Sequence, residues 1–402
     1  MSRTMGSEVL AKSGEPAVGG SGDPPRRVLQ IGNDWFAESA GGAARYYEHL
    51  LSVLGDLGVD VRGLIVGSDL AERETNGRVR AFARESDSIG WRLLAARRAM
   101  AKLGRGYRPE IIVSHFPMYA FPALDQIRRF PFVAHFHGPW AAESRAEGTS
   151  RLSTFYKQAI EASVYRRADR CIVLSSAFRR ILVEHCGIRE DRVRIVPGGA
   201  DIARFEHGES RGEARDRLGW PGGRPIVLAV RRLRHRMGLA TLISAMDDVR
   251  KRVPEALLLI AGQGPLRATL EGQVAALQLE DHVRFLGFVP DADLPIIYRA
   301  ADLVIMPSLQ LEGFGLTAVE ALAAGTPALV TPVGGLPEVV RDLDPRLILN
   351  GCEARDIADG VIRALREPST LPTSARCAEF ARRNYDWRKV GRAVLEVYRE
   401  VI

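Results

Sequence analysis

Short, nearly unbroken apolar runs alternate with longer helix-like segments along this chain, and they do so in two successive sets. The first set comprises residues 28–32, 61–66, 111–115, 132–136, 171–174 and 193–196, and the second residues 226–230, 257–261, 283–286, 303–306 and 328–331. A strand with one wet face alternates polar and apolar residues, whereas a strand covered on both faces reads as a continuous apolar run. The runs are therefore expected to be parallel strands, and the segments between them the helical crossovers that parallel pairing requires. A chain of 402 residues exceeds what one core usually serves, and its 46% hydrophobic content is enough for two. The fold class expected is α/β, with two Rossmann-like halves.

Between the sets, residues 197–223 begin Pro-Gly-Gly-Ala-Asp and continue as a charged, Gly-containing run, the composition of a hinge. This divides the chain into a first domain over 26–205, a second over 206–385 and a closing helix over 386–402. In that last segment Val390, Val394, Leu395, Val397 and Tyr398 recur at helical spacing, as if to pack across both halves. Residues 1–25 are rich in Gly, Ser, Pro and Ala without one aromatic residue, and are expected to be a disordered tail. No continuous apolar block marks a secretion signal or a bilayer span, so a cytoplasmic protein is expected. Cys171, Cys186, Cys352 and Cys377 are scattered, which fits reduced thiols better than a disulfide frame or a zinc site. Neither a metal nor a cofactor is implied. The formal charge of +7 points to anionic partners, but no nucleic-acid reader motif accompanies it.

The stretch from Met306 to Pro327 reads as strand, Gly-containing loop, helix, Gly stop and next strand. Its loop follows the carboxyl end of a strand, where open α/β sheets bind ligands. Gly313 and Gly315 let the backbone approach a ligand closely, and the helix beginning near Leu316 aims free N–H groups at a phosphate. Glu320, about a turn and a half into that helix, is placed to accept from a vicinal diol such as a ribose. Glu312 at the loop entrance suits sugar hydroxyls. A plain helix surface charge and an N-terminal helix acid are the bland alternatives for the two.

The sequence Glu312-Gly-Phe-Gly-Leu-Thr-Ala-Val-Glu320-Ala-Leu-Ala-Ala-Gly-Thr-Pro resembles the E-x7-E motif of the large retaining glycosyltransferase family 4, which has the GT-B fold. The likeness runs from Arg26 onward and includes Gly41-Gly42, His137-Gly138, residues 196–201, Ala261-Gly-Gln-Gly-Pro265 and Gly334-Gly335-Leu-Pro-Glu338. It implies two Rossmann-like domains facing across a deep cleft, with the C-terminal helix crossing back to the first. It further implies transfer of a hexosyl unit from a nucleotide diphosphate-sugar to a hydroxyl acceptor (glycan, glycolipid or small molecule), with retention and without a bound metal.

Residue by residue, Arg232 matches the family arginine that holds the diphosphate, Glu312 the sugar-contacting acid, and Glu320 the ribose-binding acid. His137 matches the histidine facing the transferred sugar. Gly41, Gly42, Gly262, Gly313, Phe314, Gly315 and Leu316 fall in donor-binding segments. Fixed positive charge and N–H donors are what a departing diphosphate needs. No carboxylate marks itself as a nucleophile near the donor loop, so the resemblance implies front-face attack, with the leaving phosphate helping to take the proton.

Two departures stand out. Met237 occupies the place of a family lysine, and Arg236 or Arg234 is expected to take over its diphosphate contact, since arginine forks grip phosphate well. Gly198 or Gly199 stands where asparagine is commoner. The missing lysine also motivates a rival reading, a non-catalytic nucleotide-sugar sensor or partner subunit; a phosphorylase would need a lysine in a matching context, which the chain lacks. His115 and Tyr119 follow a first-half strand and are assigned to the acceptor side, with core packing as the alternative. Asp291-Ala-Asp293 and Asp342-Leu-Asp344 read as capping and turn acids rather than metal ligands. Residues 88–109 carry Arg92, Arg97, Arg98, Lys102, Arg105 and Arg108 and no acid, interleaved with apolar residues. Such a segment either lies on anionic lipid or packs its apolar side on the first sheet.

Overall fold

The computed structural model describes residues 23–39, 41–206 and 208–402; the tail expected over 1–25 lies, as far as residue 22, outside them. The first sheet holds β1 (Arg27–Ile31), β2 (Asp60–Val66), β3 (Val79–Ala83), β4 (Ile111–Ser114), β5 (Phe132–Phe136), β6 (Arg170–Val173) and β7 (Val193–Ile195). The second holds β8 (Ile226–Val230), β9 (Leu257–Ala261), β10 (Val283–Gly287), β11 (Leu303–Met306) and β12 (Ala328–Val330). Every pairing is parallel. The orders are β3-β2-β1-β4-β5-β6-β7 and β10-β9-β8-β11-β12. In each the winding reverses beside the first strand, between β1 and β4 and between β8 and β11, which opens a crevice at the carboxyl ends of those strands.

The fully covered strands match the apolar runs, since β4, β5, β9 and β11 are buried at every position. β3 is the strand that those runs miss. It sits at the sheet edge, and its Arg-Ala-Phe interior is half exposed, so it lacks the continuous apolar signature.

The two sheets are joined by two chain segments lying side by side. On its way from β7 to β8, Ala200 donates its N–H to Tyr385 O at 2.8 Å, where the chain returns. The next helix, Trp387–Arg399, starts under an Asp386 cap and buries Trp387, Val390, Val394, Leu395, Val397 and Tyr398. Fully burying one such aliphatic side chain contributes about 2 kcal/mol. That face lies on the first-half helix Gly42–Asp56 and on β6. Glu400, just past its end, bridges Arg170 and Arg194 at 2.6 and 2.7 Å.

Candidate active site at the strand ends

Arg231 follows β8 directly, and the loop 307–315 follows β11, so the two adjacent strands deliver them to one spot. Arg231 donates to both Ser308 Oγ and Glu312 Oε2, and the pair is nearly enclosed. Burial opposes ionisation of Glu312, but Arg231 and Ser308 outweigh it and hold the carboxyl below its ordinary range. Leu311 adopts a left-handed conformation with φ of 55° and turns its carbonyl toward Arg236, which donates to it at 3.1 Å. A bulky residue in that region is strained, so the loop is held by its neighbours. Two glycines explain how. A Cβ on Gly334 would collide with Glu312 O, and one on Gly262 with Arg231 O, so both positions admit the close backbone contact that seats the loop.

The helix Leu316–Ala323 begins at Gly315 with no side chain capping it. Glu320 within it is 6% exposed and accepts from Tyr298 OH at 2.8 Å. Arg45, one turn into the first-half helix, reaches across to Glu320 at 3.6 Å and also pairs with Asp291. Burial nevertheless raises the Glu320 pKa, which Arg45 and Tyr298 only partly offset. The halves meet again where Glu338 accepts from Ser176 N, Ser176 Oγ and Ala177 N at 2.9, 2.7 and 3.2 Å, capping a first-half helix. Glu143 and Glu147 approach Arg236 at 3.5 Å and Arg234 at 2.8 Å.

In the first half, the ends of β4 and β5 carry three histidines. His115 Nδ1 lies 3.1 Å from His137 Nε2, and His135 Nε2 lies 3.2 Å from Tyr398 OH of the C-terminal helix. Burial lowers all three pKa values, that of His137 to about 4, so the rings are neutral at pH 7. Their ring nitrogens fall within 4.8 Å of one another, the chemistry of a metal site. The rings are nearly parallel, at 14° to 15°, and His115 Nδ1 and His137 Nε2 are engaged with each other.

Residues 40–204 match the family model described as Glycosyltransferase Family 4, and residues 210–384 match Glycosyl transferases group 1. Together they take in most of the chain. This chain belongs to glycosyltransferase family 4, with the GT-B fold. Glycogen synthase from Mycobacterium tuberculosis is 29% identical over 408 residues, covering 92% of this chain and 94% of that protein. The D-inositol 3-phosphate glycosyltransferase of Nocardia farcinica is 35% identical over 245 residues, 59% of this chain and 54% of that protein, so the match spans about half the relative's length. Sucrose-phosphate synthase from Thermosynechococcus elongatus superposes with a TM-score of 0.78 at 23% identity, covering 93% of this chain and 98% of that one.

In this family 4 glycosyltransferase, the residues expected at the site do not all meet. Glu312 pairs with Arg231, which the sequence reading passed over; Arg232 next to it is exposed, without an ion-pair partner among the described residues. Although its surface is open to solvent, surrounding protein partly desolvates the Arg232 guanidinium, and this with the charge of Arg236 lowers its pKa. Glu320 sits apart from that pair, held by Arg45 and Tyr298. Arg236 is buried beside the loop 307–315, whereas Arg234 is engaged by Glu147. Gly41 precedes the helix Gly42–Asp56; a Cβ on Gly42 would come within 3.9 Å of Leu316, and one on Gly313 would strike Phe178. Phe314 is buried against Tyr385.

Two placements need correction. His115 and Tyr119, assigned to the acceptor side, are 4% and 1% exposed. His115 spends its accessible nitrogen on His137, and Tyr119 packs against Phe82 and Phe116 with its hydroxyl taken by Arg92, so core packing places both. Asp291 likewise does more than cap a helix, since it bridges Arg45 to Arg204 at 2.6 Å. Arg45, Arg231, Glu143 and Asp291 carried no motif that separates them from ordinary surface charge.

Proposed function

We propose that this chain is a retaining hexosyltransferase that moves a sugar from a nucleotide diphosphate-sugar to a hydroxyl acceptor by front-face displacement. The carrying observation is the buried Arg231–Ser308–Glu312 constellation at the β8/β11 reversal, beside an uncapped helix start and the exposed Arg232. In this reading the N–H groups at Leu316 and the guanidinium of Arg232 receive the diphosphate, with Arg236 as the second cation in place of the absent lysine. Glu320 takes the ribose hydroxyls after exchanging its contact with Arg45. Glu312, held ionised, takes hydroxyls of the sugar. The neutral imidazole of His137 orients the sugar from the opposite wall. The acceptor hydroxyl attacks on the face the diphosphate leaves, its proton passes to the departing phosphate oxygen, and the anomeric configuration is kept. No step calls on a metal.

Thermal-shift screening against a panel of nucleotide diphosphate-sugars, followed by product analysis with the hit, tests the reading. Stabilisation by one donor class, release of the nucleoside diphosphate and an anomer matching the donor are expected. Stabilisation without turnover on glycan, glycolipid or small-molecule acceptors would move the chain to a sensor. Arg236→Ala is expected to weaken nucleoside diphosphate binding by roughly tenfold, as loss of a charge-assisted phosphate contact requires; unchanged affinity by calorimetry would remove Arg236 from the site.

A further inference from the structure

Large apolar side chains are unevenly exposed on this molecule. Six of them, Ile89, Trp91, Leu94, Leu152, Phe155 and Tyr156, stand on the first turns of two helices, Ile89–Tyr107 and Arg151–Arg167. Leu152, Phe155 and Tyr156 are 66%, 65% and 60% exposed, values unusual for residues of this size in a folded chain. The short helix Pro117–Ala120 and the turn Phe121–Ala123 pack between the two helices, and Phe121 is exposed as well. Both helices are crossovers following parallel strands, so they run back against the strand direction. Their first turns therefore lie at the carboxyl edge of the sheet, the edge that carries His115 and His137.

Within the two helices the exposed charge has one sign, whereas Glu85 and Asp87 stand just before the first of them. Downstream of Trp91 and Leu94 the outward stripe of the first helix continues with Arg98, Lys102 and Arg105, at spacings of three and four residues. Residues 88–109 contain no acid. The one acid of the second helix, Glu161, is 3% exposed, while Arg145 and Arg151 near its start are exposed. Two neighbouring acids are already paired, Asp125 with Arg97 and Glu147 with Arg234. The inner side of the first helix, through Ala95, Ala96 and Met100, is packed on the first sheet. Thus the sheet-packing reading holds for one side of this helix and leaves a second apolar group outside.

We propose that this face is a docking surface for an anionic lipid bilayer, into which the exposed aromatic and aliphatic tips insert while the surrounding arginines and lysine meet lipid headgroups. Apolar tips on helices whose exposed charges are all cationic are the composition of interfacial membrane contacts, and a contiguous apolar patch is seldom left in water without a partner. The docked molecule holds the mouth of its cleft at the headgroup level, so the acceptors it reaches include lipid-linked hydroxyls. The surface is separate from the donor residues, and lipid binding and nucleotide binding succeed or fail independently.

Co-sedimentation of the full chain with phosphatidylglycerol-containing vesicles at low salt tests this directly. Binding is expected there, with loss in high salt and on pure phosphatidylcholine vesicles. The L152S/F155S/Y156S variant and the R98E/K102E variant are each expected to lower partitioning by at least about tenfold, with thermal stability and nucleoside diphosphate binding unchanged. Absence of binding to the anionic vesicles, or binding that both variants retain, overturns the proposal. So does a self-association in sedimentation velocity that the same substitutions abolish while no lipid is bound, which would assign the face to a second copy of the chain.

Discussion

The two walls of the cleft hold their buried polar groups in opposite ways. On the second-half wall, charge meets charge: Arg231 with Glu312, and Glu320 with Arg45 reaching over from the first half. On the first-half wall, besides Arg45, Glu143 and Glu147, the buried polar groups are tyrosines and histidines that stay neutral, and among the described residues Tyr46 OH, Tyr47 OH, His115 Nε2 and His135 Nδ1 have no partner. A charged pair out of water keeps its ionisation only by mutual compensation, whereas imidazoles and phenols meet burial by staying uncharged. The difference teaches what each wall suits: fixed charge for a charged ligand, neutral donors and acceptors for hydroxyls.

Breaking the charged wall should have the largest effect. Glu312→Gln leaves Arg231 buried without its counter-charge, and a loss of about 3 kcal/mol is expected in urea unfolding. Turnover of a sugar donor should fall by about 1000-fold; a variant with intact stability would mean that the pair is not electrostatically coupled. The neutral wall should respond to acid instead. His137 has its pKa lowered from 6.5 to about 4 by burial, so between these values the unfolded chain binds a proton that the folded chain refuses. Its contribution is fully present above pH 6.5 and lost as pH falls toward 4, on the order of 3 kcal/mol. Melting temperatures across that window should drop in the wild type and drop less in His137→Asn.

A sharper separation of the walls comes from His137→Ala, expected to cut turnover by about 100-fold while leaving the donor KM nearly unchanged. A rise in KM alone would make the histidine a binding group. The smallest effect concerns the bridge between the walls. Glu143 sits 3.5 Å from Arg236, and Glu143→Gln should tighten nucleoside diphosphate binding by up to about fivefold, because a partly exposed pair of this kind is worth little more. Weaker binding in calorimetry would show that Glu143 supports the site rather than competing for it.

The fold was largely legible in the residues, because burial on both faces writes itself into composition: β9 and β11 are apolar throughout, and β4 and β5 but for Ser114 and His135. β3 escaped because an edge strand keeps polar residues. The strand, glycine-bearing turn and helix start over 303–323 were legible for a related reason, since they are local features. Choosing between Arg231 and Arg232 was not a local matter. Neighbouring residues at a strand end point to opposite sides, and which of them meets Glu312 depends on where β11 lies beside β8. His115 and Tyr119 were misplaced for the same cause, as nothing in their spacing tells a cleft-facing ring from one closed over by neighbours.

What the residues alone settled, then, was two parallel sheets and a glycine-bearing strand–loop–helix unit, because periodicity and glycine chemistry act over a few positions. The partners of Glu320, Arg236 and His135 lie across 275, 93 and 263 residues of chain, in Arg45, Glu143 and Tyr398. Those contacts exist only after the halves have closed and the last helix has come back over the first sheet, and a pairing made by long-range closure leaves no short-range mark.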